Sequence, residues 1–474
     1  MTERKPRILM IIPRGEAVRN FLYSDTLKIL HKQADVSLLT VIDDIQFNEK
    51  FKPYCTEIIR LMEFTENPLV VRFRYLVHEI HFRWIWSKVA QNMWMVRRSV
   101  ARTRFALVRR FFMEIAAYLL ANRFLLTLFT HIERYLSWLL RPDDNFINLF
   151  RRLRPDMVFN CSHIHGILGE LPTKIAYRMG IPCLGFIFSW DNLTSRSRIF
   201  VPYNYYFVWH KKMKDQLLEQ YKEISPNSVF ITGTPQFDFH FKEEYRLSSG
   251  DLYKRIGLDE KRPFILYTTG VSKHFPEEHK TVQFIIDVID NLDIETKPQL
   301  VVRTYAKGTS NEMKALAAMK IPGVVFPEVL WDPKWLMPKY EDISIYSSLI
   351  YHCCMGINAA STVSLELMIN DKPVVNLGMD PPGSDIPPHY RWSRHIYFDH
   401  YLPVAQSGGV MVAWSTEELK RMIIRGLNKP EADADKRRRF ITDFFGRLPS
   451  GNSGRIIAEK IIDLCGRNKK NVIA

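Results

Sequence analysis

The stretch Cys354-Met-Gly-Ile-Asn-Ala-Ala-Ser-Thr-Val-Ser-Leu-Glu366, continued by Leu367-Met-Ile-Asn-Asp-Lys-Pro-Val-Val375, reads as strand, turn, helix, turn, strand. Gly356-Ile-Asn358 is a short apolar run, two alanines with Ser361 and Thr362 make the turn, and Val363 to Ile369 has amphipathic helical spacing. Asn370-Asp371-Lys372-Pro373 then turns the chain into the run ending at Leu377. A strand, a helix and a second apolar strand at this spacing form the repeating unit of a mostly parallel sheet covered on both faces.

The same rhythm extends in both directions. Around this stretch, further runs are Phe264-Ile-Leu-Tyr-Thr268, Gln299-Leu-Val-Val-Arg303 and Val324-Val-Phe326. In the first half, Arg7 to Pro13 is a buried-strand pattern closed by Arg14-Gly15, and an apolar-periodic run through Phe21, Leu22, Leu27 and Leu30 follows it. Strand runs recur at Asp35–Val41, Asp156–Asn160, Pro182–Phe188, Tyr205–Trp209 and Ser228–Thr232. The charged stretch from Lys242 to Arg262 separates the halves. The expected fold class is therefore α/β: two Rossmann-like domains facing a central cleft, 1–250 and 251–440, with a closing C-terminal helix in 441–474 and a helical basic insert at about 70–141.

Composition narrows the class. The 474 residues carry a net charge of +15, and 46% are apolar, enough for two cores. Six cysteines form no CxxC pair and no metal spacing, so they read as reduced thiols, and the location is expected to be cytoplasmic. The charge is concentrated: between Val71 and Arg141 there are thirteen Lys or Arg against three Glu, an excess that supplies two thirds of the total.

Strand-end loops line the ligand crevice of an open α/β sheet, so the candidate residues are sought there. After the strand ending at Asn358, small residues give a phosphate access to free backbone N–H groups, Ser361 and Thr362 add hydroxyl donors, and Glu366 stands one turn on, placed to accept from ribose hydroxyls. On residues alone an ordinary capped helix, with Ser361 or Thr362 as N-cap, reads equally well. Lys273, His274, Arg303 and Lys307 follow the first two strands of the second half. Each alone is an ordinary surface charge; their common position after strands makes them candidates for the same diphosphate. In the first half, His163, His165, Asp191 and Asn192 follow strands, and Gly15 and Arg19 follow the first one. His165, Asp191 or His163 is the expected general base. Asn192, Gly15 and Arg19 are acceptor-side candidates, with turn formation as the alternative for Asp191, Asn192 and Gly15. The Asp-x-Asp triplet Asp433-Ala-Asp435 lies in a highly charged stretch and reads as solvated helix surface, so no metal is expected.

The Ser361–Thr362–Glu366 segment resembles the donor-binding segment of GT-B glycosyltransferases, with Asn370-Asp371 standing where glycine is usual. Phe188-Ser-Trp-Asp-Asn-Leu-Thr194, Phe207-Val-Trp209 and Val229 to Asp238 are similar to bacterial surface-carbohydrate glycosyltransferases and the neighbouring polymer glycerophosphotransferases. With the donor segment, this likeness covers most of 155–380 but not the basic insert. It implies diphosphate contacts from Ser361 and Thr362 and a ribose contact from Glu366. The implied activity is transfer of a sugar from a nucleotide-sugar donor to a saccharide or lipid-linked saccharide acceptor in surface polysaccharide synthesis, without metal or cofactor. The alternatives within the fold are CDP-glycerol-type glycerophosphate transfer and nucleotide-sugar epimerisation; the latter is weakened because no cluster of acidic catalytic residues stands out.

The insert interleaves Trp84, Trp86, Trp94 and Trp138 with Arg97-Arg98 and Arg109-Arg110. Charges at Glu114, Arg123 and Glu133 disfavour a transmembrane helix. Basic, aromatic helices suit the plane of an anionic membrane surface, and a packing or oligomerisation element fits the pattern equally. The expected partners are a nucleotide sugar, the acceptor and an anionic membrane surface at 70–141, with peripheral placement on the inner face of the cytoplasmic membrane; the pattern is compatible with an oligomer. A nucleic-acid-binding protein using the insert is the reading of another class. It is disfavoured because no RNA or DNA motif accompanies the charge.

Overall fold

A computed structural model describes residues 4–141, 145–163, 167–196, 198–447 and 449–473. The chain forms two compact units: residues 1–236 with 452–474, and residues 237–451. The first division falls after Gln236, ahead of the expected 250. The region expected to close the chain splits in two, because the helix Ala434–Phe445 belongs to the second unit whereas Ser453–Ile473 returns to the first. There Thr26 donates its hydroxyl to the Gly454 carbonyl at 3.2 Å.

The first unit holds β1 (Arg7–Ile12), β2 (Asp35–Thr40), β3 (Glu57–Arg60), β4 (Met157–His163), β5 (Cys183–Ile187), β6 (Tyr205–Val208) and β7 (Val229–Ile231). They form one sheet in the order β3-β2-β1-β4-β5-β6-β7, with all neighbours parallel. Ile8 to Ile12 and Met157 to Phe159 are buried on both faces, which is why these strands read as continuous apolar runs rather than alternating ones. A π-helical turn, Val18–Tyr23, follows β1 and drives Phe21 edge-on against Phe159 and Phe186 at 5.2 and 5.1 Å. Between β3 and β4 the insert forms four helices, Pro68–Ile85, Lys88–Ser99, Arg104–Leu120 and Arg123–Leu139. Its small apolar core contains Val77, Ile80, Trp94, Ala117 and Leu126 with Phe200.

The second unit holds β8 (Phe264–Thr268), β9 (Gln299–Arg303), β10 (Val324–Val325), the two-residue hairpin strands β11 (Trp331–Asp332) and β12 (Met337–Pro338), β13 (Met355–Asn358), β14 (Val374–Leu377) and β15 (Met411–Ala413). Its main sheet is parallel, in the order β10-β9-β8-β13-β14-β15. Ile265, Tyr267, Val302, Ile357 and Trp392 centre the core.

Each order reverses direction once. The first sheet grows outward from β1 toward β3 and from β4 toward β7; the second grows from β8 toward β10 and from β13 toward β15. These reversals, β1/β4 and β8/β13, are topological switch points. The loops at their strand C-termini diverge and leave room for a ligand.

Candidate functional site

In the second unit, Arg303, Thr268, Asn358 and Asn376 are register partners across β9, β8, β13 and β14, forming one row at the C-terminal edge of the sheet. Asn358 is fully buried and organises the turn that follows it. Its Oδ1 accepts from the Ser361 N–H at 3.0 Å, the Asn376 Nδ2 at 3.1 Å and the Ser364 hydroxyl at 3.2 Å. The buried Tyr401 hydroxyl lies 2.7 Å from Ser364 Oγ and 2.8 Å from Asn376 Oδ1, extending the network. Three donors converging on this one buried oxygen fix the orientation of the Asn358 amide, because turning it away would strand them.

The helix Val363–Ile369 follows as the sequence predicts. It lies tight on β13 because residue 356 is glycine: a Cβ there would stand 2.2 Å from Leu367 Cδ1. Thr362 occupies the N-cap position without a capping side-chain hydrogen bond, and Ser361 Oγ accepts from the Val363 N–H at 3.3 Å. Thus Ser361 also performs the capping role. Asp371, where the resemblance leads one to expect glycine, has φ +52°, the left-handed backbone that glycine favours, and its carboxylate pairs with the buried Arg437 at 2.7 Å.

Glu366 projects from this helix and is nearly buried. One carboxylate oxygen accepts the Tyr346 hydroxyl; the other lies 3.7 Å from His240 Nε2. Neither partner emerges from the sequence reading. Tyr346 sits on the helix Tyr340–His352, and His240 lies on a 3-10 segment just past Asp238, so nothing local links either to Glu366.

The loops after β8 and β9 border a half-open pocket of about 360 Å³ lined by Thr269, Gly270, Ser272, Glu278, Thr309 and Ser310, among others. Glu278 is buried, and one carboxyl oxygen takes both the Gly270 N–H at 2.9 Å and the Tyr267 hydroxyl at 3.0 Å. Burial pushes its pKa up to about 8, against the opposing pull of those two hydrogen bonds. Lys273 and His274 are exposed on the first loop. Lys307 is half-buried on the second, with its ammonium 5.7 Å from the Tyr305 ring centre. Arg303 is placed differently from a diphosphate ligand: one nitrogen of its buried guanidinium, Nη2, lies 2.7 Å from both carboxylate oxygens of Asp342, and Nη1 donates to the Glu328 carbonyl at 2.9 Å. Asp342 further accepts from Leu330 N–H and Trp331 Nε1, so the pair fastens the hairpin segment to the sheet.

In the first unit, Gly15 is buried, and its carbonyl closes the turn after β1 by accepting the Val18 N–H at 3.0 Å. Arg19 is half-buried and donates to Asn20 and Gln236. β4 runs on past Asn160, through a register irregularity, to His163, which therefore lies in the strand rather than after it. His163 is buried with Nδ1 2.8 Å from the Tyr203 hydroxyl, which also takes a hydrogen bond from Asn160 at 3.0 Å. Residue 185 is glycine beneath that tyrosine, since a Cβ would come within 2.7 Å of its ring. His165 lies outside the described residues. Asp191 accepts the hydroxyls of Ser189 and Ser195, each at 2.5 Å, and Asn192, fully buried, accepts the Ser189 N–H at 2.9 Å. Both side chains bind the loop after β5 to itself, which is the turn-forming alternative of the sequence reading. Asp433 departs from the expected solvated surface: it is buried and paired with Arg425 at 2.6 Å and Lys436 at 3.0 Å, while Asp435 is exposed.

No family model and no curated protein sequence matches the chain. Solved structures do. A putative UDP-N-acetylglucosamine 2-epimerase from Listeria monocytogenes superposes with a TM-score of 0.55 at 11% identity, covering 95% of this chain and 94% of that one. A second UDP-N-acetylglucosamine 2-epimerase gives 0.53 at 12%, covering 98% and 97%. The enzyme from Neisseria meningitidis, bound to UDP-GlcNAc, gives 0.51 at 11%, covering 96% and 100%. At this identity the likeness defines the fold: the chain is an α/β protein of the GT-B type.

Proposed function

We propose that this protein is an enzyme acting on a nucleoside-diphosphate sugar, and that it transfers the glycosyl group to a saccharide or lipid-linked saccharide acceptor in the synthesis of a surface polysaccharide. The observation that carries the reading is the position of the Asn358–Glu366 segment at the β8/β13 switch point, with the turn held by the buried Asn358 side chain. In this reading the backbone N–H groups and hydroxyls of Ser361 and Thr362 receive the diphosphate, and Glu366, oriented by Tyr346, receives the ribose. Lys273 and Lys307 supply positive charge in place of a metal ion. Arg303 acts one step away, by holding the segment that carries Asp342.

A second reading, epimerisation of the nucleotide sugar, is favoured by the UDP-N-acetylglucosamine 2-epimerases that superpose on the chain. Glycerophosphate transfer from a CDP-alcohol is the third. A donor screen separates them by product. Glycosyl transfer releases a nucleoside diphosphate only when acceptor is present, and glycerophosphate transfer releases a nucleoside monophosphate. Epimerisation converts the donor without acceptor and without net nucleotide release. Acceptor-independent conversion would replace the transferase reading.

A further inference from the structure

The helices Arg104–Leu120 and Arg123–Leu139 are built inside out. On the first, the buried positions are Arg110, Glu114 and Ala117, whereas Phe105 is 77% exposed, Phe112 64% and Leu119 70%. On the second, the buried positions are Leu126, Thr130, Glu133 and Ser137, whereas Phe124 is 75% exposed, and Tyr135 and Leu139 each 57%. A helix on a water-facing surface buries its apolar stripe and exposes its polar one. Here Arg110, Glu114 and Glu133 point inward and are paired there. Glu133 is fully buried between Lys174 at 2.7 Å and Arg74 at 2.6 Å, and Arg110 bridges Glu79 at 2.6 Å and Glu114 at 2.7 Å. Ion-paired and hydrogen-bonded inward groups fix which face points out. That outward face is a contiguous run of large apolar side chains on both helices, well beyond the scattered exposed leucine or phenylalanine of an ordinary surface.

We infer that this face is a monotopic membrane-insertion surface, lying in the plane of a phospholipid leaflet with its aromatic and aliphatic side chains among the upper acyl chains. Three observations select a lipid leaflet as the occupant. Exposed Arg102, Arg104, Arg109 and Arg123 border the apolar face, matching anionic headgroups around an apolar interior. A symmetric contact with a second copy would instead set the same arginines against each other. Neither helix alone is long and apolar enough to cross: each has 17 residues, about 25 Å of rise against a hydrocarbon core of about 30 Å, and the chain bends by 113° between them. Arg123, at the bend, donates to the Glu219 carbonyl at 3.3 Å, so the junction is held on the body of the unit instead of leading into the bilayer. Among the described residues no single helix is long and apolar enough to cross a membrane.

The sequence suggests basic, aromatic helices on an anionic surface; the exposed apolar face makes insertion, with its insensitivity to salt, the main attraction. The test uses the full-length protein in vesicle flotation. The vesicles are phosphatidylcholine alone or phosphatidylcholine with phosphatidylglycerol at about 30 mol%. The protein is expected to float with the anionic vesicles and to remain bound after a wash at roughly 1 M salt, where surface charges are screened within about 3 Å. The triple variant Phe105→Ser, Phe112→Ser, Phe124→Ser removes only outward side chains. It is expected to keep the wild-type melting temperature and lose about a hundredfold in vesicle partitioning. Release of the wild type by salt, or equal flotation of the triple variant, would overturn the inference. So would a wild type that ignores vesicles but is an oligomer that the triple variant dissociates, since the face would then belong to a second copy. No outcome depends on which nucleotide-sugar reaction the enzyme performs.

Discussion

Asn358 accepts the backbone N–H of Ser361 at 3.0 Å through its side-chain oxygen, while its own backbone continues β13 into the row of residues at the β8/β13 switch point. One amide thus couples the end of the sheet to the turn assigned to the donor phosphates. Replacing Asn358 by Leu leaves the Ser361 N–H, the Ser364 hydroxyl and the Asn376 amide in need of new acceptors. Loss of about 2–4 kcal/mol of stability is expected from stranding such buried donors, together with weakened donor binding. Chemical denaturation and nucleotide titration of Asn358→Leu measure the two effects. A variant as stable as wild type would show that the network is not holding the turn.

Glu278 gives the protein a predicted pH response. Its folded pKa, raised to about 8 by burial from an ordinary 4.5, means that the folded state holds this proton more tightly than the unfolded state. The stability it confers is complete below about pH 4.5 and declines as pH rises toward about 8, by on the order of a few kcal/mol over the whole interval. Glu278→Gln keeps a neutral, hydrogen-bonding side chain and removes the titration. Melting temperatures recorded from pH 5 to 8 should fall less steeply for this variant than for wild type. Identical slopes would mean that the carboxyl is ionised throughout.

The Arg303–Asp342 pair yields a third test. Both side chains are buried, so Asp342→Ala alone leaves an unpaired guanidinium and is expected to cost about 3–5 kcal/mol. Replacing both, as Arg303→Met with Asp342→Leu, should recover much of that loss and leave donor affinity near wild type. A folded double variant with donor affinity reduced tenfold or more would return Arg303 to the phosphate site.

The architecture was largely legible in the sequence because its central strands are buried on both faces. Phe264–Thr268 and Gln299–Arg303 stand out as apolar runs and match β8 and β9 residue for residue. Of the edge strands, Glu57–Arg60 and Met411–Ala413 are not legible, because each is only partly buried and its run is not set off as apolar. Partner choice was the other blind spot. Composition reveals that the insert is basic and aromatic, but whether Glu133 faces water or Lys174 depends on a helix distant in the chain. For the same reason the position of Arg303 after a strand does not reveal Asp342 beside it, and nothing local in the chain places His240 and Tyr346 next to Glu366.

The most direct measurement is calorimetric titration of nucleoside diphosphates and their sugars into the full-length wild type and Glu366→Gln, with melting temperature checked in parallel. Glutamine can still accept from Tyr346 but lacks the charge proposed to hold the ribose. One nucleoside-diphosphate sugar is expected to bind the wild type, and Glu366→Gln, folded as before, is expected to bind it at least about tenfold more weakly. This expectation would be contradicted if no such nucleotide bound the wild type up to about 1 mM, or if the two proteins bound it equally well.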